Sequence, residues 1–215
     1  MDYLYFKTRM ASQAPGPDLG DGVRVEIWRP TLARPMRRDL PLVPFGIWSL
    51  FHFLGVFASR DYFLVLVLAG PRLVHRTCIF PAHFRFPFMA IRDLQAGGLW
   101  TDPGWRGRGL GLAALAAAFR RPECQGRTLW YMVREDNRPS IRLAEKAGFL
   151  PWGRGGRVDP WGIGALGRYE VAEVLPSDPP GRGSVWEPDP SQEGVQELRR
   201  TAGGGCCGRL AKNNN

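Results

Sequence analysis

Arg106-Gly107-Arg108-Gly109-Leu110-Gly111 is the part of the chain whose residue types and spacing could do chemistry. Three closely spaced glycines let the backbone turn tightly and leave successive N–H groups uncovered where a helix begins. Those donors and the positive end of the helix dipole make a phosphate site, and Arg106 and Arg108 add full charges beside it. Upstream, Asp93 offers a carboxylate and Gln95 an amide on the approach to this run. The structural alternative for Asp93 is a surface residue at a strand start, and for the glycine run a plain tight turn.

The elements around this run must hold it. Leu99-Trp100-Thr101 belongs to a strand that feeds the turn, and Gly97-Gly98 inside it predicts a bulge or the close approach of a ligand. After Gly111, Leu112, Leu115 and Phe119 recur on one helical face, and the intervening alanines favour helix as far as Pro122. Arg120 and Arg121 then fall in its last turn. Thr128 to Val133 reads as the next strand. Asn137 is a good N-cap, Pro139 is tolerated in a first turn, and Gly148 follows Lys146 as a stop. The order is strand, glycine turn, helix, strand, helix.

Several phosphate-binding units share such an order. A P-loop needs Gly-Lys-Ser/Thr after the turn, and Gly109-Leu110-Gly111 has neither lysine nor hydroxyl. A dinucleotide site wants an acid at the end of the next strand, and Glu135 and Asp136 come late, ahead of a helix cap, which disfavours that reading. Arg106 to Gly111 resembles the acyl-CoA pyrophosphate loop of the GCN5-related N-acetyltransferase (GNAT) family, whose pattern is Gln/Arg-x-x-Gly-x-Gly/Ala. Asn137-Arg138-Pro139-Ser140 with Glu145-Lys146-Ala147-Gly148-Phe149 resembles that family's second motif. Two motifs in order are more specific than either alone.

The resemblance implies an α+β fold, with a mixed, mostly antiparallel central sheet and helices on both faces. It implies transfer of an acetyl group from acetyl-CoA, as cosubstrate, to a primary amine of a small-molecule or peptide acceptor by direct attack in a ternary complex. The implied donor contacts are Leu99, Trp100 and Thr101 through the backbone of a splayed strand, Arg106, Gly107, Arg108, Gly109, Leu110 and Gly111 at the pyrophosphate, and Asn137 and Ser140 on the second helix. The family's general base is often a carboxylate on the splayed strand or a relayed water, which makes Asp93 the implied base, with Gln95 able only to orient water. Many members place a tyrosine just before Glu-Lys to protonate the leaving thiolate. Here that position is Ala144. Ser140 or a water is left to serve, the thiolate leaves as the anion, or catalysis is impaired. A catalytically silent CoA-binding module is the runner-up.

The rest of the chain sets bounds. The 215 residues, 44% hydrophobic, suffice for one core, and a net charge of +9 suits any polyanion. The arginines are scattered instead of forming a stripe, which disfavours nucleic acid; contact with a membrane surface stays open. Cys78, Cys124, Cys206 and Cys207 show no metal or disulfide pattern, so no metal is expected, and the start lacks a leader pattern, so the reading is cytoplasmic. Residues 1–21 read as a flexible lead-in, 22–175 as the domain and 176–215 as a disordered tail. Val23 to Trp28 alternates as the first strand; Phe63 to Leu68 and Leu73 to Phe80 read as a hairpin. The apolar run 40–58, broken by Pro41, Pro44 and Gly46, reads as a core or pocket-lining helix, and the resemblance implies that it walls an apolar acceptor side. Phe80 to Met89 is a loop whose aromatics plug the sheet, or else a wall with His83 or Arg85 facing an acceptor. His75 reads as a structural histidine. Oligomeric state is left open.

Overall fold

The computed structural model describes residues 2–9, 16–159 and 167–176. An eight-stranded sheet is built from β1 (Asp2–Arg9), β2 (Val23–Trp28), β3 (Phe63–Ala69), β4 (Arg72–Pro81), β5 (Leu94–Thr101), β6 (Thr128–Arg134), β7 (Leu150–Val158) and β8 (Arg168–Val174). The helices are α1 (Leu42–Leu54), α2 (Leu110–Phe119) and α3 (Arg138–Lys146). The sheet order is β2-β3-β4-β5-β6-β1-β7-β8, and every pairing is antiparallel except β5 with β6. This is an α+β fold with a mixed, mostly antiparallel sheet.

Period-2 alternation sorts the two faces. Phe63, Val65 and Val67 of β3 point toward α2 and α3, with Leu94 and Ala96 of β5 and Leu115 and Phe119 of α2 in one core. Leu64, Leu66 and Leu68 face the other way, where Phe45 and Trp48 of α1 cover them. Helices therefore lie on both faces. Of α1 only Phe45 and Ser49 are buried, while Leu42, Ile47, Leu50 and Leu54 remain exposed. No helix of the described residues is long and apolar enough to cross a membrane.

Two expectations are corrected. Asp2–Arg9, read as part of a flexible lead-in, is a strand inside the sheet: Leu4 lies opposite Val133 of β6 on one side and Arg154 of β7 on the other. Tyr5 and Phe6 are almost wholly buried there. Tyr3-Leu4-Tyr5-Phe6 has the aromatic, apolar composition of a strand, although turn-rich residues follow it. Residues 16–19 also lie against α2, with Ala116 Cβ 3.2 Å from the point where a Gly16 Cβ would stand. The second correction is small. α2 ends at Phe119 with Arg120 as its C-cap, so Arg120 and Arg121 lie past its last turn, and Pro122–Cys124 forms a separate 3₁₀ turn. The tail expected over 176–215 lies outside the described residues from 177 onward, as do residues 160–166.

Candidate functional site

β5 and β6 pair over three residues only, Leu94 with Leu129, Gln95 with Trp130 and Ala96 with Tyr131. Beyond them β5 continues to Thr101 and β6 to Arg134 without pairing to each other, which leaves an open wedge between two parallel strands. Gly97-Gly98 is the cause on the β5 side. The β4–β5 register shifts there, between Arg76 and Cys78, and Gly98 has φ +59°, a conformation open to glycine at little cost. A side chain at Gly98 would also stand 3.0 Å from Cys78 Sγ. The predicted bulge is therefore present.

The wedge opens toward the C-terminal ends of both strands, where the glycine turn begins. Asp102 starts it: its Oδ1 accepts from the Gly104 N–H at 3.0 Å and its Oδ2 from Arg72 at 2.7 Å. Gly107 and Gly109 take φ +76° and +77°, and Gly109 caps α2 without any side-chain bond to the first-turn N–H groups. Arg106 donates from Nε to the Thr101 carbonyl at 3.4 Å, and the Arg108 guanidinium lies 4.7 Å from the centre of the Trp105 ring. Neither has a carboxylate partner among the described residues. Gly111 lets α2 close on α3, since a Cβ there would stand 2.9 Å from Leu143 Cδ2. Pro17 covers one side of Gly109, 3.2 Å from the position of its absent Cβ. A strand edge leading to uncapped N–H groups, beside two guanidiniums that no carboxylate pairs among the described residues, suits an extended chain that carries a pyrophosphate.

Leu99 packs toward α2, and Trp100 toward α1. The Thr101 hydroxyl meets the buried His75, whose Nδ1 is 2.7 Å from Thr101 Oγ1 and whose Nε2 is 2.9 Å from Thr77 Oγ1. Burial pushes the His75 pKa down to about 4 and the adjacent Arg76 adds to the shift, so the ring is neutral. His75 is structural, as read.

On the far side of the wedge, Asn137 Oδ1 accepts from the Ser140 N–H at 3.2 Å and caps α3. The Ser140 side chain lies near the Tyr131 hydroxyl; burial raises that phenol's pKa, and Ser140 opposes the rise. Tyr131 belongs to the last β5–β6 pair. It is a hydroxyl that sequence reasoning missed, because only the packing of α3 on β6 brings it beside Ser140. Ala144 and Phe149 are buried around the same spot, with the Phe149 ring 5.4 Å from Tyr131's.

Asp93 is not brought to the open part of the wedge. It precedes the paired segment, about 13 Å along the strand from Gly97 at some 3.3 Å per residue. Its buried Oδ2 accepts from Trp130 Nε1 at 2.8 Å and from the Ala90 N–H at 2.9 Å. Burial raises its pKa, and those bonds with Lys7 and Arg127 oppose the rise. Asp93→Leu is expected to lower stability by about 2–4 kcal/mol by stranding two buried donors. Asp93→Asn, which keeps an acceptor oxygen, is expected to retain most of the turnover. A loss of the roughly 10²-fold or more that removing a general base costs would instead make Asp93 the base. Gln95, two residues on, carries a buried Oε1 with no partner, and its Nε2 is 3.6 Å from where a Gly97 Cβ would be. In the Phe80–Met89 loop His83 Nδ1 meets the Pro81 carbonyl at 3.0 Å and the His83 ring lies edge-on to Phe86, while Arg85 reaches the Gly167 carbonyl. The loop is a plug. No group of three His, Cys, Asp or Glu side chains placed to hold a metal occurs among the described residues.

Residues 43–149 match the family model described as Acetyltransferase (GNAT) family. No curated protein matches the chain at the level taken to mark a relative. Among solved structures, a GCN5-related N-acetyltransferase from Sphaerobacter thermophilus is 19% identical, with TM-score 0.48 over 71% of this chain and 49% of that one. A tandem GNAT protein from the clavulanic acid biosynthesis pathway is 16% identical, with TM-score 0.49 over 82% and 55%. A GNAT-family acetyltransferase from Novosphingobium aromaticivorans is 18% identical, with TM-score 0.43 over 72% and 62%. The chain spans less than two thirds of the length of each. Through the match over 43–149, which takes in the wedge, the glycine turn and the capped helix, this chain belongs to the GNAT family of acetyltransferases.

Proposed function

We propose that the domain transfers an acetyl group from acetyl-CoA to a primary amine by direct attack in a ternary complex. One observation carries the reading: the unpaired edges of β5 and β6 lead into the uncapped N-terminus of α2 between Arg106 and Arg108. When bound, acetyl-CoA supplies the activated thioester. The first N–H groups of α2, from Gly109 to Gly111, and the two guanidiniums hold its diphosphate charge. Backbone groups of Leu99, Trp100 and Thr101 pair with the arm as a strand would. An N–H near Leu99 or Trp100 takes up charge that develops on the acyl oxygen. On the α1 face, Phe45, Trp48 and Trp100 make an apolar wall for the acceptor.

An amine with pKa near 10 arrives protonated, so a proton must leave before attack. Gln95 Oε1, buried and without a partner, would hold the water that takes it. The leaving sulfur gains its proton from the Tyr131–Ser140 hydroxyl pair, which stands in for the tyrosine that Ala144 replaces. Tyr131→Phe is expected to lower kcat by about 10²-fold, in the range of a general acid, with stabilisation by acetyl-CoA unchanged. Unchanged kcat would assign the proton to water. Ser140→Ala should act in the same direction.

The reading is tested by titrating the full chain with acetyl-CoA while following its melting temperature, then measuring free thiol release with a panel of amines. A ligand bound only by the native state raises apparent stability. Absence of any shift overturns the reading. A shift without thiol release favours the silent CoA-binding module, for which the buried Ala144 is the motivating residue.

A further inference from the structure

Arg76 is the one charged side chain in the middle of β4, flanked by the buried Val74, His75, Thr77 and Cys78. Its guanidinium lies between two rings, with Cζ 5.0 Å from the centre of Phe45 on α1 and 4.9 Å from that of Trp100 on β5. Its Nε is buried without a hydrogen-bond partner, and among the described residues no carboxylate pairs with it. A half-buried cation held this way is costly unless something pairs with it. The two ring contacts restrain the guanidinium, whose planar fork suits an oxyanion with two oxygens.

Arg76 and Trp100 line a cleft of about 450 Å³ together with Arg38, Asp39 and Leu40. Asp39, the only acid there, is already held by Arg37, which donates to both of its oxygens at 2.9 and 2.8 Å. Arg37 also pairs with Glu26, so Arg37, Arg38 and Arg76 against Asp39 and Glu26 leave the cleft one positive charge in excess. It lies on the α1 face, across the sheet from α2, and Arg76 faces Trp100 in the β4–β5 register immediately beside the bulge. Two residues along β4, about 6.6 Å at strand rise, separate Arg76 from Cys78 opposite Gly97.

We propose that Arg76 binds an anionic group at the far end of the acceptor, a carboxylate or a phosphate monoester, so that the acceptor is an amine with an acidic tail. This rests on the acetyl-transfer reading above and names its substrate class. The cleft supplies the anchor and the amine reaches back to the wedge beside the bulge. Arg38, at the exposed rim, adds attraction but no fixed geometry.

The test is thiol release from acetyl-CoA with matched acceptors. ω-Aminoalkanoates from glycine to 6-aminohexanoate are each compared with their primary amides, and O-phosphoethanolamine with ethanolamine. The wild-type chain should favour the anionic member of at least one pair by about 10-fold or more in kcat/KM, as a charged hydrogen bond would give. The pair that responds says whether the tail is carboxylate or phosphate. Arg76→Gln should erase the preference through KM and leave neutral amines and stabilisation by acetyl-CoA unchanged, while Arg76→Lys should restore part of it. The wild-type comparison needs no variant to fold. No preference in any pair, a preference that survives Arg76→Gln, or donor stabilisation with no turnover of any amine overturns the assignment while leaving donor binding intact. Loss of the acetyl-CoA shift in the wild-type chain overturns both.

Discussion

Gly109→Trp is expected to abolish the stabilisation that acetyl-CoA gives the wild-type chain. At a donor concentration 100 times Kd that stabilisation amounts to about 2.7 kcal/mol. The substitution acts twice. Gly109 has φ +77°, where a side chain costs roughly 1–2 kcal/mol, so the unliganded melting temperature should fall somewhat. The indole would also occupy the approach to the first N–H groups of α2, where Pro17 already stands 3.2 Å from the Cβ position. Circular dichroism on the variant checks that the fold persists, and the acetyl-CoA titration reads the site. A variant that keeps the full wild-type shift would remove the glycine turn from the donor site.

Acid should destabilise the fold through His75. Its folded pKa, about 4, lies below the ordinary value of 6.5 because the ring is buried among neutral groups beside Arg76. A folded pKa depressed in this way means that the unfolded chain takes up the proton first. The contribution is complete above pH 6.5 and is lost as pH falls from 6.5 toward 4, by up to about 3 kcal/mol at 1.36 kcal/mol per pH unit. His83, also pushed down to about 4 by burial, has the same sign, whereas Asp93, pushed up, has the opposite one. Urea denaturation of the wild type and of His75→Gln across pH 4.5–7.5 separates them. The variant should have the shallower slope between pH 6.5 and 4.5, and an unchanged slope would remove His75 as the cause. His75 holds Thr101 and abuts Gly111, so the loss of acid stability should reach the donor turn first.

Much of the site was legible because its determinants are close together in the chain. The turn follows from glycines that accept positive φ at 107 and 109, α3 from an asparagine whose Oδ1 reaches the N–H three residues on, and its end from Gly148 at φ +84°. The bulge at Gly97-Gly98 was legible for the same reason. The surroundings of Asp93 were not legible, because carboxylate type and strand position do not reveal a Trp130 donor thirty-seven residues away. Nor does a motif in α3 reveal that Tyr131 of β6 meets Ser140.

By itself the sequence determined which segments are helix, strand and turn in the family motifs, and where phosphate-binding N–H groups would lie. These depend on backbone sterics and capping within a few residues. Tertiary structure decided that Asp2–Arg9 sits between β6 and β7, that β5 and β6 part after three pairs, and that Arg76 is clasped by Phe45 and Trp100. Each of these joins residues twenty-four or more positions apart. Such contacts form only where the whole sheet and both helical layers bury enough apolar surface to offset the entropy of closing long loops.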